Sequence, residues 1–248
     1  MKRLRIVGIG PGGADQVTVE AVTALREVDV FLVPAKQRGV DDLVALRAEL
    51  LARHTDGGTR LVEVADPPRD RSPADYGRAV ADWHEARAEA WEAALAAVDE
   101  EVAGFLVWGD PALYDSTLRV VERILDRGRL SFEYDVVPGV SAVSLLAARH
   151  RIVLHDVGEP VTVTTGRRLL ETVASGVRSL VVMLDGSLTC RELDGDAWDV
   201  WWGANLGTSD EALVTGPLGD VLPKILARRA DARAARGWVM DTYLLRRR

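Results

Sequence analysis

The stretch that decides the fold runs from Gly104 to Ser116 and reads GFLVWGDPALYDS. Its apolar run is short, is closed by Gly109, Asp110 and Pro111, and is followed by a helical pattern, which predicts a buried strand that ends in a loop. Open α/β sheets bind ligands at the carboxyl ends of such strands. An ordinary strand-to-helix turn is the alternative, and these residues alone leave both interpretations open.

The same order of strand, loop and helix recurs through the first half of the chain. Helical periodicity separates five apolar runs, which predicts a parallel sheet with helices on both faces. The predicted strands are 4–9, 29–33, 61–64, 104–108 and 132–137. The predicted helices are 40–53, 74–101, 117–125 and 142–148, with a further helix from Thr18. The segment 66–73 predicts a stiff, proline-rich binding loop.

The second half has a different pattern, because several strands follow one another without a helix between them. Its predicted strands are 161–165, 180–184, 198–202, 212–214 and 238–245, with helices at 169–174 and 220–235. Such an order favours a mixed sheet. We therefore expect two α/β domains, 1–154 and 155–248, the first with a parallel sheet flanked by helices and the second with a mixed sheet.

Composition and charge exclude several classes of protein. The formal charge is 31 − 38 = −7, which argues against nucleic acid as a partner because phosphate binding draws on a basic field. The single cysteine, Cys190, excludes an internal disulfide framework and a multi-cysteine metal site. It is expected to pack as a small apolar residue, no metal is predicted, and the cytoplasm is the expected compartment.

The sequence also predicts a soluble protein with no membrane partner. Its amino terminus runs directly into a strand pattern and lacks the apolar core of a signal peptide. No apolar stretch approaches the roughly 20 residues that a helix needs to span a bilayer.

A second glycine loop follows the first predicted strand. Gly8, Gly10 and Gly13 satisfy the dinucleotide pattern G-x-G-x-x-G. That pattern requires an acidic residue at the far end of the second strand, but Asp29 stands at its near end. The next helix also begins several residues after the last glycine, which weakens a phosphate site at its start. A nicotinamide-dependent reductase is therefore the less favoured alternative.

Five motifs, in this order, resemble the tetrapyrrole (precorrin and cobalt-precorrin) methylase family. They are Gly8–Gly12, Trp108–Pro111, Pro138–Ala142, the strand ending at Met183, and Asn205–Thr208. The resemblance implies the fold of that family, with the active site in the cleft between two α/β domains. It also implies S-adenosyl-L-methionine as the methyl donor, a small tetrapyrrole as substrate, and a homodimer.

Longer segments narrow the resemblance to one branch of this family. They are Val107–Thr117, Ala147–Ile152, Thr164–Leu169, Val182–Asp185 and Gly237–Arg246. Members of that branch methylate precorrin-5 at carbon one of the macrocycle and release the extruded acetyl group as acetate, giving precorrin-6A in cobalamin biosynthesis. A methylase that acts at another macrocycle position, and a donor-binding sensor without turnover, remain alternatives.

The resemblance also places the methyl donor on particular residues of this chain. They are Pro11, Trp108, Gly109, Asp110, Leu113, Ser141, Ala142, Met183 and Gly207. A sulfonium donor has no phosphate, so it needs close backbone approach and an apolar wall rather than a basic cradle. The chain departs from the family at its first loop, where Gly13-Ala14-Asp15 replaces the usual acidic residue and proline, so any role for that acid moves to Asp15.

The substrate carries many carboxylates, and arginine forks bind carboxylates bidentately. The predicted substrate-binding residues are Arg149, Arg151, Arg167 and Arg168. Release of an acetyl group needs a base and hydrogen-bond donors. The sequence does not identify them. The candidates are Asp15, Tyr114, Asp115, His150 and Asp185, followed by His84 and His155. Trp91, Trp201 and Trp202 are candidates for a dimer interface.

Overall fold

The computed structural model describes residues 2–35, 41–57, 59–68 and 75–248. Residues Val40 and Ala74, at which two helices were expected to begin, lie outside the described residues, as do residues 69–73 of the predicted binding loop. The helices and strands of the first half are β1 (Lys2–Gly8), α1 (Val19–Glu27), β2 (Val30–Pro34), α2 (Asp41–His54), β3 (Arg60–Val64), α3 (Tyr76–Ala97), β4 (Val102–Val107), α4 (Thr117–Asp126) and β5 (Phe132–Val137).

These five strands form one sheet in the order β3-β2-β4-β1-β5, and every pair in it is parallel. The first strand is therefore central. Its residue Gly8 lies beside Val107 of β4, and Val7 lies beside Val137 of β5. The loops that follow β4, β1 and β5 consequently leave the sheet at one edge and next to one another.

Alternate residues of the central strand face two separate cores. Leu4 and Ile6 pack with the buried residues of α3 and α4 on one face, whereas Val7 and Ile9 pack with those of α1 and α2 on the other. The period of two along a strand produces this division. The predicted parallel sheet with helices on both faces is confirmed.

The second half contains α5 (Ala142–His150), β6 (Thr162–Thr165), α6 (Leu169–Ala174), β7 (Ser179–Met183), β8 (Trp198–Ala204), β9 (Ala212–Pro217), α7 (Leu218–Arg236) and β10 (Asp241–Arg247). Its sheet has the order β6-β7-β10-β8-β9. The pair β6 and β7 is parallel and the other pairs are antiparallel, so the predicted mixed sheet is confirmed.

One face of the mixed sheet is covered by α6 and α7, whose Leu169 and Ile225 pack with Trp202 and Tyr243. The other face carries α5, whose Leu146 approaches Gly203. Cys190 lies in the core of the first face, and burial raises the pKa of its thiol to about 12. This cysteine packs as a small apolar residue, as its surroundings in the sequence predict.

The chain divides into two compact units that differ from the predicted domains. The first unit holds residues 1–10 and 14–140, and the second holds residues 11–13 and 141–248. The predicted boundary near residue 154 leaves α5 in the first domain. The structure assigns α5 to the second unit because this helix packs against strands β8, β9 and β10.

Other differences concern the ends of elements and the tryptophans. Helix α3 ends at Ala97 because Val98 has an extended backbone, so residues 98–101 lead into β4 instead of continuing the helix. Strand β10 begins at Asp241 rather than at residue 238. Trp91 and Trp202 are 2% and 0% exposed, so their assignment to a dimer interface is wrong. Both fill the cores of their units, and Trp91 stacks on Phe105 with 4.1 Å between ring centroids.

Candidate active site

Three loops of the first unit meet at the carboxyl ends of β4, β1 and β5. The amide of Gly109 donates to the carbonyl of Gly10 at 2.8 Å, and the amide of Gly10 donates back at 3.3 Å. Gly139 fits so closely that a Cβ at this position would lie 2.0 Å from the carbonyl oxygen of Gly109. Glycine is required at residue 139 because the backbones themselves form the packed surface.

The carboxylate of Asp110 fastens two of these loops together. Its Oδ2 accepts a hydrogen bond from the amide of Gly139 at 3.0 Å, and its Oδ1 accepts one from the amide of Ala112 at 2.8 Å. Asp110 therefore holds the loop geometry with its side chain. A negative charge at this point also disfavours a pyrophosphate, which argues against a dinucleotide site here.

The remainder of the loop after β4 exposes one strained aromatic residue. The amide of Leu113 donates to the carbonyl of Asp110 at 3.1 Å, which closes a tight turn. Tyr114 has a φ of 54° and is 43% exposed. A left-handed backbone is uncommon for a bulky residue and is concentrated at functional sites. Asp115 follows, and its Oδ1 accepts from the amide of Thr117 at 2.6 Å at the start of α4.

Two arginines that the sequence analysis missed lie beside this loop. Arg47 of α2 stands over the ring of Trp108, 5.2 Å from its centroid. Burial, followed by the nearby positive charge of Arg87, lowers the pKa of Arg47 to about 10. The sequence carries a signal for this arginine, because Arg47 precedes Leu50 and Leu51 by one helical turn and so shares their buried face.

The second of these arginines, Arg87 of α3, is firmly held. Its guanidinium lies 4.8 Å from the ring of Trp83 and 4.5 Å from the ring of Trp91. Its Nε lies 3.0 Å from Oδ1 of Asp66, and its Nη1 donates to Oγ of Ser116 at 3.0 Å. Burial lowers its pKa, an effect that Asp66 and Asp115 oppose.

In the second unit, residues 11–13 pack against the loop after β8. A Cβ on Gly12 would lie 2.8 Å from Cγ2 of Thr208 and 2.9 Å from the carbonyl oxygen of Leu206. Asn205 fixes the base of this loop through two hydrogen bonds to Met240. Its backbone N–H donates to the carbonyl of Met240 at 2.8 Å, and its side-chain Oδ1 accepts from the backbone N–H of Met240 at 3.1 Å. The loop that carries Gly207 is thus held by backbone contacts on two sides.

Glu211 provides a third support for the same loop. Its Oε2 accepts from the amide of Gly207 at 2.8 Å, and its Oε1 accepts from Nε of Arg149 at 2.8 Å. Arg149, a predicted substrate-binding residue, therefore has a carboxylate partner within the protein. The sequence did not reveal this pair because its members are far apart in the chain: Arg149 lies on α5 and Glu211 lies after β8.

Helix α5 carries two predicted donor contacts and one candidate base. The hydroxyl of Ser141 caps the helix by accepting from the amide of Ser144 at 3.1 Å, and Ala142 is the first helical residue. Nε2 of His150 lies 3.0 Å from the carbonyl oxygen of Trp202. Burial is the main effect that lowers the pKa of His150, so the ring is neutral near pH 7 and Nδ1 is its acceptor when Nε2 donates.

Asp185 lies just after β7 and Met183 and is 4% exposed. Its Oδ2 accepts from the hydroxyl of Tyr243 and from the amide of Thr189, both at 2.6 Å, and its Oδ1 accepts from the hydroxyl of Thr189 at 2.9 Å. Arg229 of α7 donates to the carbonyl of Asp185 at 3.1 Å. These contacts make Asp185 an anchor of the turn after β7.

The other predicted residues lie at the surface. Asp15 forms an ion pair with Arg53, and Arg168 forms one with Glu171 at 2.7 Å. Arg167 is exposed, and Arg151 closes α5 with a left-handed backbone. Within the described residues, no three His, Cys, Asp or Glu side chains are arranged to hold a metal ion. None of the described helices is both long and apolar enough to cross a membrane.

Comparison with known proteins identifies the class. The family model of tetrapyrrole (corrin/porphyrin) methylases matches residues 3–222. The chain therefore belongs to the tetrapyrrole methylase family, and the predicted resemblance is confirmed.

Individual relatives agree with this assignment. The precorrin-6A synthase [deacetylating] of Sinorhizobium sp is 43% identical over 250 residues, which cover 100% of this chain and 96% of that protein. The precorrin-2 C(20)-methyltransferase of the same organism is 32% identical over 186 residues, which cover 70% of this chain and 71% of that protein.

Solved structures share the fold. The cobalamin synthesis related protein CobF of Corynebacterium diphtheriae superposes with a TM-score of 0.84 at 34% identity, over 99% of both chains. The uroporphyrin-III C-methyl transferase of Thermus thermophilus, complexed with S-adenyl homocysteine, superposes with a TM-score of 0.59 at 21% identity, over 98% of this chain and 91% of that one. The predicted fold class is confirmed.

Proposed function

We propose that the chain methylates precorrin-5 at carbon one of the macrocycle, with S-adenosyl-L-methionine as the methyl donor, and releases the extruded acetyl group as acetate to give precorrin-6A. The observation that carries this proposal is the 43% identity, over the full chain, with a protein named precorrin-6A synthase [deacetylating]. The family itself consists of tetrapyrrole methylases, which supports a tetrapyrrole as the acceptor.

The donor is proposed to bind at the loops that carry Pro11, Trp108–Asp110 and Leu113 and at the segments with Ser141, Ala142, Met183 and Gly207. The residues present fit such a molecule. The backbone of Gly139 lies so close to that of Gly109 that only small residues fit there, and Asp110 places a negative charge where a phosphate would be repelled. Asp110 acts through the loops by fixing two amides, so its role is to position them.

The chemistry of methyl transfer makes few demands on side chains. When bound, S-adenosylmethionine supplies a methyl group to an electron-rich ring carbon of the substrate. The protein aligns the two molecules and excludes water, and no enzymic nucleophile is required. The rigid packing of Gly10, Gly109 and Gly139 suits this task, because an aligned site requires loops that do not shift.

Acetyl release requires a water nucleophile and stabilisation of an oxyanion. Tyr114 and Asp115 follow the proposed donor contacts directly, and Tyr114 is exposed on a strained backbone. We propose Asp115 as the base that activates water and the Tyr114 hydroxyl as a donor to the oxyanion.

The other candidates have weaker support. Nδ1 of a neutral His150 is a suitable acceptor at pH 7, which keeps this residue as an alternative base. Asp15 is exposed and paired with Arg53. Asp185 is buried and accepts hydrogen bonds on both of its oxygens, so it has little capacity left for chemistry.

The proposed substrate contacts are Arg149, Arg151, Arg167 and Arg168, and of these Arg149 already pairs with Glu211 and Arg168 with Glu171. We also propose a homodimer that acts in the cytoplasm without nucleic acid or membrane as partner. The net charge of −7 supports the exclusion of nucleic acid.

The support of the Gly207 loop provides a first test. In Glu211→Gln the loop keeps one hydrogen bond but loses its ion pair with Arg149, and we expect affinity for S-adenosylhomocysteine to fall about threefold to tenfold. Isothermal titration calorimetry measures this change. Glu171→Gln, which removes an exposed ion pair with Arg168, is the matched control and should bind as the wild type does. Equal affinities for both variants would remove the Gly207 loop from the donor site.

The proposed function is tested by incubation of the purified protein with precorrin-5 and labelled S-adenosylmethionine, while methyl transfer and acetate are followed together. Equal amounts of both products are expected. Methylation without acetate would assign another macrocycle position, and donor binding without turnover on any precorrin would indicate a sensor. Binding of NADPH without binding of S-adenosylhomocysteine would overturn the proposal in favour of a reductase.

A further inference from the structure

Arg47 of α2 and Trp108 at the end of β4 form an unusual pair. The guanidinium lies 5.2 Å from the centroid of the indole ring. Nε of Arg47 and Nε1 of Trp108 are both shielded from solvent, and neither donates a hydrogen bond within the part of the chain that the structure describes. Buried donors are normally paired, and each orphan requires a physical explanation.

The charge of Arg47 also lacks a close partner among the described residues. No carboxylate of the described residues lies within ion-pair distance of its guanidinium. Arg87 adds a second positive charge nearby, which lowers the pKa of Arg47 further. The carboxylate of Asp115 opposes this effect, but it lies beyond ion-pair distance of Arg47. A charge held out of water is costly unless an anion pairs with it. Among the described residues, the guanidinium of Arg47 therefore has no anion paired with it.

Arg87 differs from Arg47 because its partners fix it. Asp66 and Ser116 contact its guanidinium, and Trp83 and Trp91 flank it. It cannot turn to satisfy a ligand without breaking these contacts. Its contribution is a fixed positive field beside Arg47.

We propose that Arg47, supported by the fixed charge of Arg87, binds a carboxylate of the tetrapyrrole substrate at the carboxyl end of β4. The inference rests on the proposed function, because that function supplies a substrate rich in carboxylates. Arginine presents paired donors that match a carboxylate. The flat ring of Trp108 lies directly below the guanidinium and keeps it oriented.

The methionine portion of the donor also carries a carboxylate, so the test must separate the two sources. The probes are uroporphyrin III, a stable tetrapyrrole with a carboxylate on every side chain, and S-adenosylhomocysteine. In Arg47→Gln we expect uroporphyrin affinity, measured by quenching of tryptophan fluorescence, to fall about tenfold or more. Affinity for S-adenosylhomocysteine, measured by calorimetry, should remain within about twofold of wild type.

Arg78→Gln is the matched control, since Arg78 is an arginine of α3 with its side chain 82% exposed. It removes the same charge from the same unit and should leave uroporphyrin affinity unchanged. A porphyrin with neutral hydroxyl-ended side chains should bind wild type and Arg47→Gln equally, because it offers no carboxylate.

Thermal unfolding adds an independent readout. Because no carboxylate of the described residues pairs with Arg47, Arg47→Met should leave the melting temperature unchanged or raise it. A lowered melting temperature would give Arg47 a structural role and overturn the inference. Unchanged uroporphyrin affinity in Arg47→Gln, or a loss confined to S-adenosylhomocysteine, would also overturn it. These measurements do not use precorrin-5 turnover, so a failure of the proposed reaction can be distinguished from a failure of the inference about Arg47.

Discussion

Replacement of Gly139 by alanine is expected to weaken binding of the methyl donor strongly while most of the fold survives. The added Cβ would lie 2.0 Å from the carbonyl oxygen of Gly109 and 2.9 Å from Cα of Gly8. Both neighbours are backbone, so neither can rotate away, and the loops after β1, β4 and β5 must separate. We expect S-adenosylhomocysteine affinity to fall at least tenfold and the free energy of unfolding to fall by about 1–3 kcal/mol.

The control for this substitution is Gly77→Ala in the first turn of α3. A Cβ there would meet only a side-chain oxygen of Asp75 at 3.6 Å, an ordinary contact. Alanine favours a helix over glycine, so stability should stay constant or rise slightly. Calorimetry with S-adenosylhomocysteine and thermal denaturation compare the two variants. If Gly139→Ala binds the donor as well as Gly77→Ala does, the three meeting loops do not form the donor site.

Asp185→Ala is expected to cause the largest loss of stability. The substitution leaves the hydroxyl of Tyr243 and both donors of Thr189 without their buried acceptor. Each lost hydrogen bond to a charged group costs about 1.5–3 kcal/mol, so the loss of all three is expected to cost about 4.5 kcal/mol or more. Denaturant unfolding followed by far-ultraviolet circular dichroism measures it.

Two further variants separate stability from chemistry at this position. Tyr243→Phe removes one of the donors and should cost less than Asp185→Ala. Asp185→Asn keeps the size of the side chain and one acceptor oxygen, so part of the stability should return. If Asp185→Asn is as stable as wild type and yet releases no acetate from precorrin-5, Asp185 acts in catalysis and our interpretation of it as an anchor is wrong.

The sequence predicted the strands and helices because hydrophobic periodicity is a local property. The five parallel strands and the five strands of the mixed sheet were all located, and the errors fell at ends such as that of α3. Helix α3 ends where Val98 takes an extended backbone, and no residue type near it prescribes this ending. The boundary between the two units was harder to predict from the sequence, because it depends on the packing of α5 against strands that are distant in the chain.

The sequence indicated the loops that depend on close backbone packing, but it did not indicate side-chain pairs between residues that lie far apart in the chain. Glycines mark close approach directly, so the loops around Gly109 and Gly139 could be selected from sequence. Arg149 was expected to contact substrate because arginines suit carboxylates, and its partner Glu211 was not recognised because it is remote in the chain. Arg47 was overlooked for a related reason, since its position on the buried face of α2 is visible only when Leu50 and Leu51 are placed on that face.

The central position of β1 also has a consequence for the order in which the protein is built. Strand β1 pairs with β4 and β5, which are translated much later than β1. Such long-range pairing raises the contact order, which slows folding. Strand β1 can therefore pair on both of its edges only after the chain is made past Val137.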